Sequence, residues 1–262
     1  MYSRTSKLFT AAVLACTAAI SMVSCDNDNQ SYYLVNTGYN ALVTVKTAEG
    51  GGSYLQLDDE TTLNPVNVSG TLFGGKEVRA LTNFNVVEGD AGGYSMNVRL
   101  NWIDSIRTKP TVPSLGDKND ETYGSDPIEI VNDWITVAED GYLTLRFRTL
   151  SEGRGNVHYV NLLTGVDAND PYTVELRHDA KGDVTGYYAD GIIAFNLDSL
   201  PDTGGQVKKL TLKWKGYEAD KSVTFDFCTN GDDHDDGDAT TSDLSAVEGR
   251  QVDVESLTMD VE

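Results

Sequence analysis

Reactive side chains are few in this sequence, and the first is a thiol. Cys25 ends the apolar run Ser21-Met22-Val23-Ser24 and is followed at once by Asp26-Asn27-Asp28-Asn29. A basic start at Arg4 and Lys7, an apolar segment over residues 8–22 and a small residue before a cysteine make up a secretory leader cut just before that thiol. The freed cysteine then carries lipid. His158 and His178 lie in strand-like runs, and His234 lies in an acidic stretch; no GxSxG or HExxH accompanies any of them. Ordinary strand positions are therefore expected for the first two. Gly70-Thr71-Leu72-Phe73-Gly74-Gly75-Lys76-Glu77 approaches a phosphate loop, but Glu77 stands where a hydroxyl should hold magnesium and a strand pattern follows, so it reads as a turn. Residues 232–243 match a calcium loop at Asp232, Asp236 and Gly237 and depart from it at His234 and Asp243, so a solvated acidic stretch with no metal is expected. Tyr187-Tyr188-Ala189-Asp190-Gly191 offers two aromatic faces and an acid, a set suited to a sugar ring. Packing of at least one of the two tyrosines is the alternative.

Composition limits what such groups could serve. The chain has 262 residues and a formal charge of −21, and loss of residues 1–24 removes two cations. A surface that acidic repels phosphate backbones and anionic headgroups, which excludes nucleic acid as a partner and leaves lipid, not charge, to hold the membrane. Cys16 leaves with the leader and Cys25 is lipidated, so Cys228 stands without a disulfide partner and the fold must rest on packed cores. It shares parity with Thr224 and Asp226, which points it outward or to an edge.

The elements that carry these residues are strands. Polar residues 25–38 read as a stalk. Ala41, Val43 and Val45 begin a period of two, Leu55 and Leu57 continue it, and Val66 and Val68 form a short third run. Val78, Ala80, Thr82, Phe84 and Val86 take one face of the next strand, with Arg79, Asn83 and Asn85 on the other. Tyr94, Met96, Val98, Leu100 and Trp102 then alternate with Ser95, Asn97, Arg99 and Asn101. Glycine-rich reversals and no helical stretch over residues 39–108 suit an OB-like barrel. Prolines 110, 113 and 127 mark residues 109–127 as a linker. Residues 128–229 hold seven short strands, among them Leu143-Leu145-Phe147, Tyr172-Val174-Leu176 and Leu210-Leu212-Trp214 read at alternate positions, which indicates a seven-strand antiparallel β-sandwich. Residues 230–262 are too acidic to fold alone and read as a disordered tail.

The leader, the barrel-sized first half, the proline-marked join and the second set of strands together resemble the NigD-like lipoproteins of Bacteroidota. Residues 94–108 with Trp102-Ile103, and Asn132-Asp133-Trp134-Ile135-Thr136-Val137 at the start of the second half, carry the likeness over about residues 25–230. The resemblance implies an OB-type barrel followed by a β-sandwich, with no enzymatic activity and no cofactor. Its name derives from a bacteriocin operon, which implies a protective, immunity-type role as one alternative. In that group an acidic cluster behind the lipidated cysteine accompanies export to the cell surface.

The expectation from sequence is thus an all-β, non-catalytic lipoprotein of the outer membrane, at the cell surface or on the periplasmic face. Lipid on Cys25 ties it to the membrane, and loops on a rigid scaffold bind a protein or glycan partner, with Tyr187, Tyr188 and Asp190 as candidate contacts. A glycan-processing accessory protein or hydrolase is the third reading, since paired carboxylates need not be neighbours in sequence.

Overall fold

A computed structural model describes residues 38–153, 155–229, 244, 250 and 260–261. The leader, Cys25, the stalk and the calcium-loop-like segment lie outside the described residues. The first half is a closed barrel with strand order β1-β2-β3-β5-β4, formed by β1 (Tyr39–Thr47), β2 (Ser53–Gln56), β3 (Thr62–Pro65), β4 (Val78–Val87) and β5 (Met96–Ser105). Ala41, Val43, Val45, Leu55, Leu63, Ala80, Phe84 and Val98 fill it. The third strand comes earlier than Val66 and Val68 suggest, and Val66 is exposed. A bulge opposite Asn83 and Phe84 shifts the register of β5, so Phe84 pairs with Leu100 and Asn83 with Trp102. That extra residue flips the parity. Ile103 faces the barrel core, and Trp102 turns outward onto a separate apolar cluster.

Residues 70–77, whose sequence approaches a phosphate loop, form a tight turn over Leu72–Gly75 and run directly into β4, with no α-helix to present amides to a phosphate.

The second half is a sandwich of two mixed sheets. One holds β6 (Arg107–Pro110), β8 (Glu129–Ile130), β9 (Val137–Glu139), β10 (Tyr142–Ser151) and β13 (Tyr187–Asn196). The other holds β7 (Val112–Pro113), β11 (Val157–Thr164), β12 (Thr173–Asp179), β14 (Lys208–Lys215), β15 (Asp220–Phe227) and β16 (Asp260–Val261). The sandwich is larger and less regular than seven antiparallel strands: β6, β7 and β16 are short pieces in parallel pairing, and β12 pairs parallel with β14. Leu143, Leu145, Phe147, Val160, Leu162, Val174, Leu176, Ile193, Phe195, Leu210 and Leu212 interdigitate between the sheets.

Residues 109–127, read above as a linker, belong to the sandwich. Pro110 ends β6 and Pro113 ends β7, both edge strands where a missing N–H costs nothing. The short helix α1 (Asn119–Tyr123) follows, and Gly124 then passes so close to His178 and Asp179 that any Cβ would collide with their backbone. Asp126 N–H donates to His178 O at 2.9 Å, and its carboxylate accepts from Ala180 N–H.

Barrel and sandwich meet across Leu42, Leu81, Ile106, Ile135 and Ala194, flanked by Trp102, Trp134, Val137 and Ile192. This contact buries β1 and β4 on both faces, which explains the unbroken run Ala41-Leu42-Val43. Arg79, on the face of β4 expected to be polar, is fully buried here: it donates to Thr44 and Thr144 and pairs with Glu139 at 2.5 Å. Among the described residues no helix is long and apolar enough to cross a membrane.

Candidate functional site

One end of the sandwich collects most of the groups that could recognise a ligand. There β10 runs out into residues 152–156 before β11, and β12 runs out into residues 180–186 before β13. Ser151 is paired with Tyr187, so both loops emerge side by side. Gly186, at φ +97°, makes the closeness possible, because a Cβ there would run into the Ser151 carbonyl. Between the loops lies a polar groove of about 380 Å³ lined by Glu152, Asn156, Tyr159, Lys181 and Asp183. The Lys181 ammonium sits 5.1 Å from the centre of the Tyr159 ring, and Thr185 bonds Glu152 across the loop tips.

Of the three residues singled out from sequence, two stand in the open. Tyr187 is 83 % exposed and Tyr188 64 % exposed, at the first two positions of β13. Tyr188 keeps an edge-on contact with Tyr217, centroids 6.0 Å apart. Tyr217 is itself fixed by its hydroxyl, which accepts from Leu150 N–H at 2.8 Å and bonds Thr149 at 3.0 Å. Both rings stand largely in solvent, and packing, the alternative for these tyrosines, reaches only Tyr188 through that edge-on contact. Asp190 lies elsewhere in function: it is buried, and its two oxygens accept from Arg146 Nε and Nη2 and from Arg148 Nε and Nη2 at 2.6–3.0 Å. Burial opposes its charge, but the bonds from Arg148 and Arg146 outweigh that and hold its carboxyl below the usual range. Asp190 braces the strand that presents the tyrosines instead of facing a ligand.

Beneath the groove is a hydrogen-bonded array that sequence reading missed. His178 Nδ1 lies 3.2 Å from the Pro127 carbonyl oxygen, His178 Nε2 lies 2.8 Å from His158 Nδ1, and His158 Nε2 lies 3.1 Å from Asp183 Oδ2. Both rings are buried. Asp183 also accepts from the Ser151 hydroxyl and the Glu152 N–H, each at 2.8 Å. Burial opposes its charge, yet these donors together with His158 and Asn156 bring it down to about 2. Burial, and then the neighbouring ring, push His178 down to about 4.

That arrangement has the residue types of a serine hydrolase without its geometry. Ser151 donates its hydroxyl hydrogen to Asp183 and not to an imidazole, so neither histidine is placed to activate it. The one sequence signal for the array was parity: His158 aligns with Val160 and Leu162, and His178 with Val174 and Leu176, all core positions. Cys228 is half-buried and lies 3.4 Å from the Thr203 hydroxyl. Among the described residues no cluster of His, Cys, Asp and Glu is placed to hold a metal ion.

Matched against known families, residues 42–106 fit the NigD-like N-terminal OB domain and residues 110–227 the NigD-like C-terminal beta sandwich domain. A solved protein of Parabacteroides distasonis, described as toxin-related, is 33 % identical over 73 % of this chain and 94 % of its own, with a TM-score of 0.63. A Bacteroides vulgatus protein of unknown function is 21 % identical over 74 % of this chain and 93 % of its own, at a TM-score of 0.59. A NigD-like immunity protein of Bacteroides caccae is 20 % identical over 71 % and 90 %, at 0.52. These last two show the fold alone. No curated protein sequence matches the chain.

Proposed function

This chain belongs to the NigD-like family, and on that premise we propose that it is a non-catalytic lipoprotein that binds a partner through the loop end of its sandwich. Lipid on Cys25 tethers it to the outer membrane, at the cell surface or on the periplasmic face. The observation that carries the reading is the pair Tyr187 and Tyr188, two exposed aromatic rings at the start of an otherwise well-packed strand. Exposed tyrosines give large contact area at low entropic cost, and their hydroxyls serve glycans and peptides alike. The non-catalytic part is supported by the bonding of Ser151, which goes to a carboxylate and not to an imidazole, and by the burial of both histidines.

The test is binding by the full-length protein on glycan arrays and in pull-downs from envelope fractions, with Tyr187→Ala/Tyr188→Ala alongside. At least a tenfold loss of affinity, about 1.4 kcal/mol or more, is expected for the double variant with its melting temperature unchanged. Equal binding by the variant would remove this end of the sandwich from the reading. Mass spectrometry of the native protein should find the acyl mass on Cys25.

A second reading draws on the 33 % identical protein described as toxin-related and on the fold shared with a NigD-like immunity protein. In that reading the partner is a bacteriocin, and the protein protects its own cell. Deleting the gene should then raise sensitivity to the co-encoded toxin; unchanged sensitivity would discard it.

A further inference from the structure

The free side of β11 is covered piecemeal. β12 occupies one side of this strand along Tyr159–Leu163. On the other side, β7 pairs in parallel with Leu163 and Thr164, and β16 pairs in parallel with Val157 and His158. Between them the Lys109 ammonium donates to the Val160 carbonyl at 2.9 Å and to Asn161 Oδ1 at 3.1 Å. A lysine and two short strands thus satisfy an edge that would otherwise offer bare backbone groups to any passing strand.

The piece at the loop end comes from far along the sequence. Val261 packs against the sandwich core, and β16 also touches β13 of the facing sheet, so it closes the gap between the two sheets. Two other described residues beyond β15 make contacts of the same kind. Leu244 packs against the barrel core, while Arg250 lays its guanidinium 5.0 Å from the centre of the Trp134 ring and accepts a bond from Asn40 at its carbonyl, 2.7 Å. All three lie past residue 227, where the sandwich match ends. Residues 244, 250 and 260–261 of the part read from composition as a disordered tail are therefore in contact with barrel, seam and sandwich.

A two-residue strand with one half-buried valine is a small hold on an edge built to accept a parallel strand. The segment seated at Val157–His158 is this chain's own, and the thirty residues that separate Thr229 from Asp260 could span up to about 100 Å if extended, enough to reach a neighbour. We propose that the β11 edge at Val157–His158 is a strand-acceptor site, kept occupied by Asp260–Val261 of the same chain and open to the same segment of a second copy when its own is displaced. This interaction surface is separate from the tyrosine end, and its test does not depend on what the tyrosines bind.

The test uses amide hydrogen exchange on the full chain. In the native protein the amides of residues 157–159 are expected to be protected. Val261→Asp should speed their exchange by about tenfold or more while those of β12 and β14 stay as they were. Adding a synthetic peptide of residues 250–262 to that variant should restore protection at 157–159, and the same peptide carrying Val261→Asp should not. Should the aspartate variant fail to fold, Val261→Thr keeps the shape of the side chain, weakens its burial and gives the same readout in smaller measure. Unchanged protection in both variants would overturn the acceptor edge. Exposure without rescue at millimolar peptide would overturn donation by a second copy.

Discussion

The buried histidine pair ties the stability of the fold to pH. His178 is held neutral in the fold down to about 4 by burial and by the ring beside it, whereas an unfolded chain protonates histidine near 6.5. A lowered base favours the unfolded state as protons become available, so its contribution is lost as pH falls from about 6.5 to 4 and is flat below. At about 1.4 kcal/mol per pH unit the window is worth about 3 kcal/mol. Asp183 acts in a different window: its lowered carboxyl contributes above the ordinary value of 3.8, and that contribution disappears as pH falls towards about 2. Denaturant titrations from pH 7.5 to 4 on the native protein and on His178→Gln, which still carries a donor for the Pro127 carbonyl, should give stability curves that converge by about 3 kcal/mol towards pH 4. Parallel curves would mean that His178 titrates normally and that the line of three bonds is not held as described.

At the scale of elements, the glycine between the two loops decides whether the tyrosine end exists. Gly186→Ala places a methyl against the Ser151 carbonyl in a backbone region that side chains avoid, at an expected cost of about 1–3 kcal/mol. Because the clash lies beside Tyr187, the loop should shift and partner binding should fall with stability, read by melting temperature and by the same binding assay. Full binding by Gly186→Ala would separate the loop geometry from recognition. Strand identity here was legible because one-sided burial writes a period of two, as in β5, β10 and β14. Three features were not. The β5 bulge adds one residue and turns Trp102 out of the barrel, which alternation cannot signal. Prolines 110 and 113 look like linker residues because proline suits loops and sheet edges equally well. The ion pairs that take up Asp190 depend on β10 lying beside β13, a pairing between residues some forty apart. His158 and His178 met for the same reason, and only their parity with the core hinted at it.

At the scale of the molecule, the question is whether barrel and sandwich are two stable bodies or one. The described residues group as a single compact unit, and its seam has the character of a core: Leu42, Leu81, Ile106, Ile135 and Ala194 are all buried there. Polar ties reinforce it. Arg79 reaches from β4 to Glu139, Lys46 from β1 to Asp140 at 2.8 Å, and Glu77 accepts from the Tyr142 hydroxyl at 2.7 Å. A barrel of five strands has a small core of its own, so much of its stability must come from this contact. Leu81→Ala removes buried methyl groups only at the seam and should cost about 2–4 kcal/mol. For a body of this size that lowers the melting temperature by about 4–16 °C. If the two halves share one cooperative transition, hydrogen exchange in the variant should rise in step at β1 and at β14, although β14 lies in the far sheet of the sandwich. Loss of protection at β1 with β14 unchanged would show that the barrel opens alone. The same outcome would also mean that the sandwich can present its tyrosines without the barrel as a foundation.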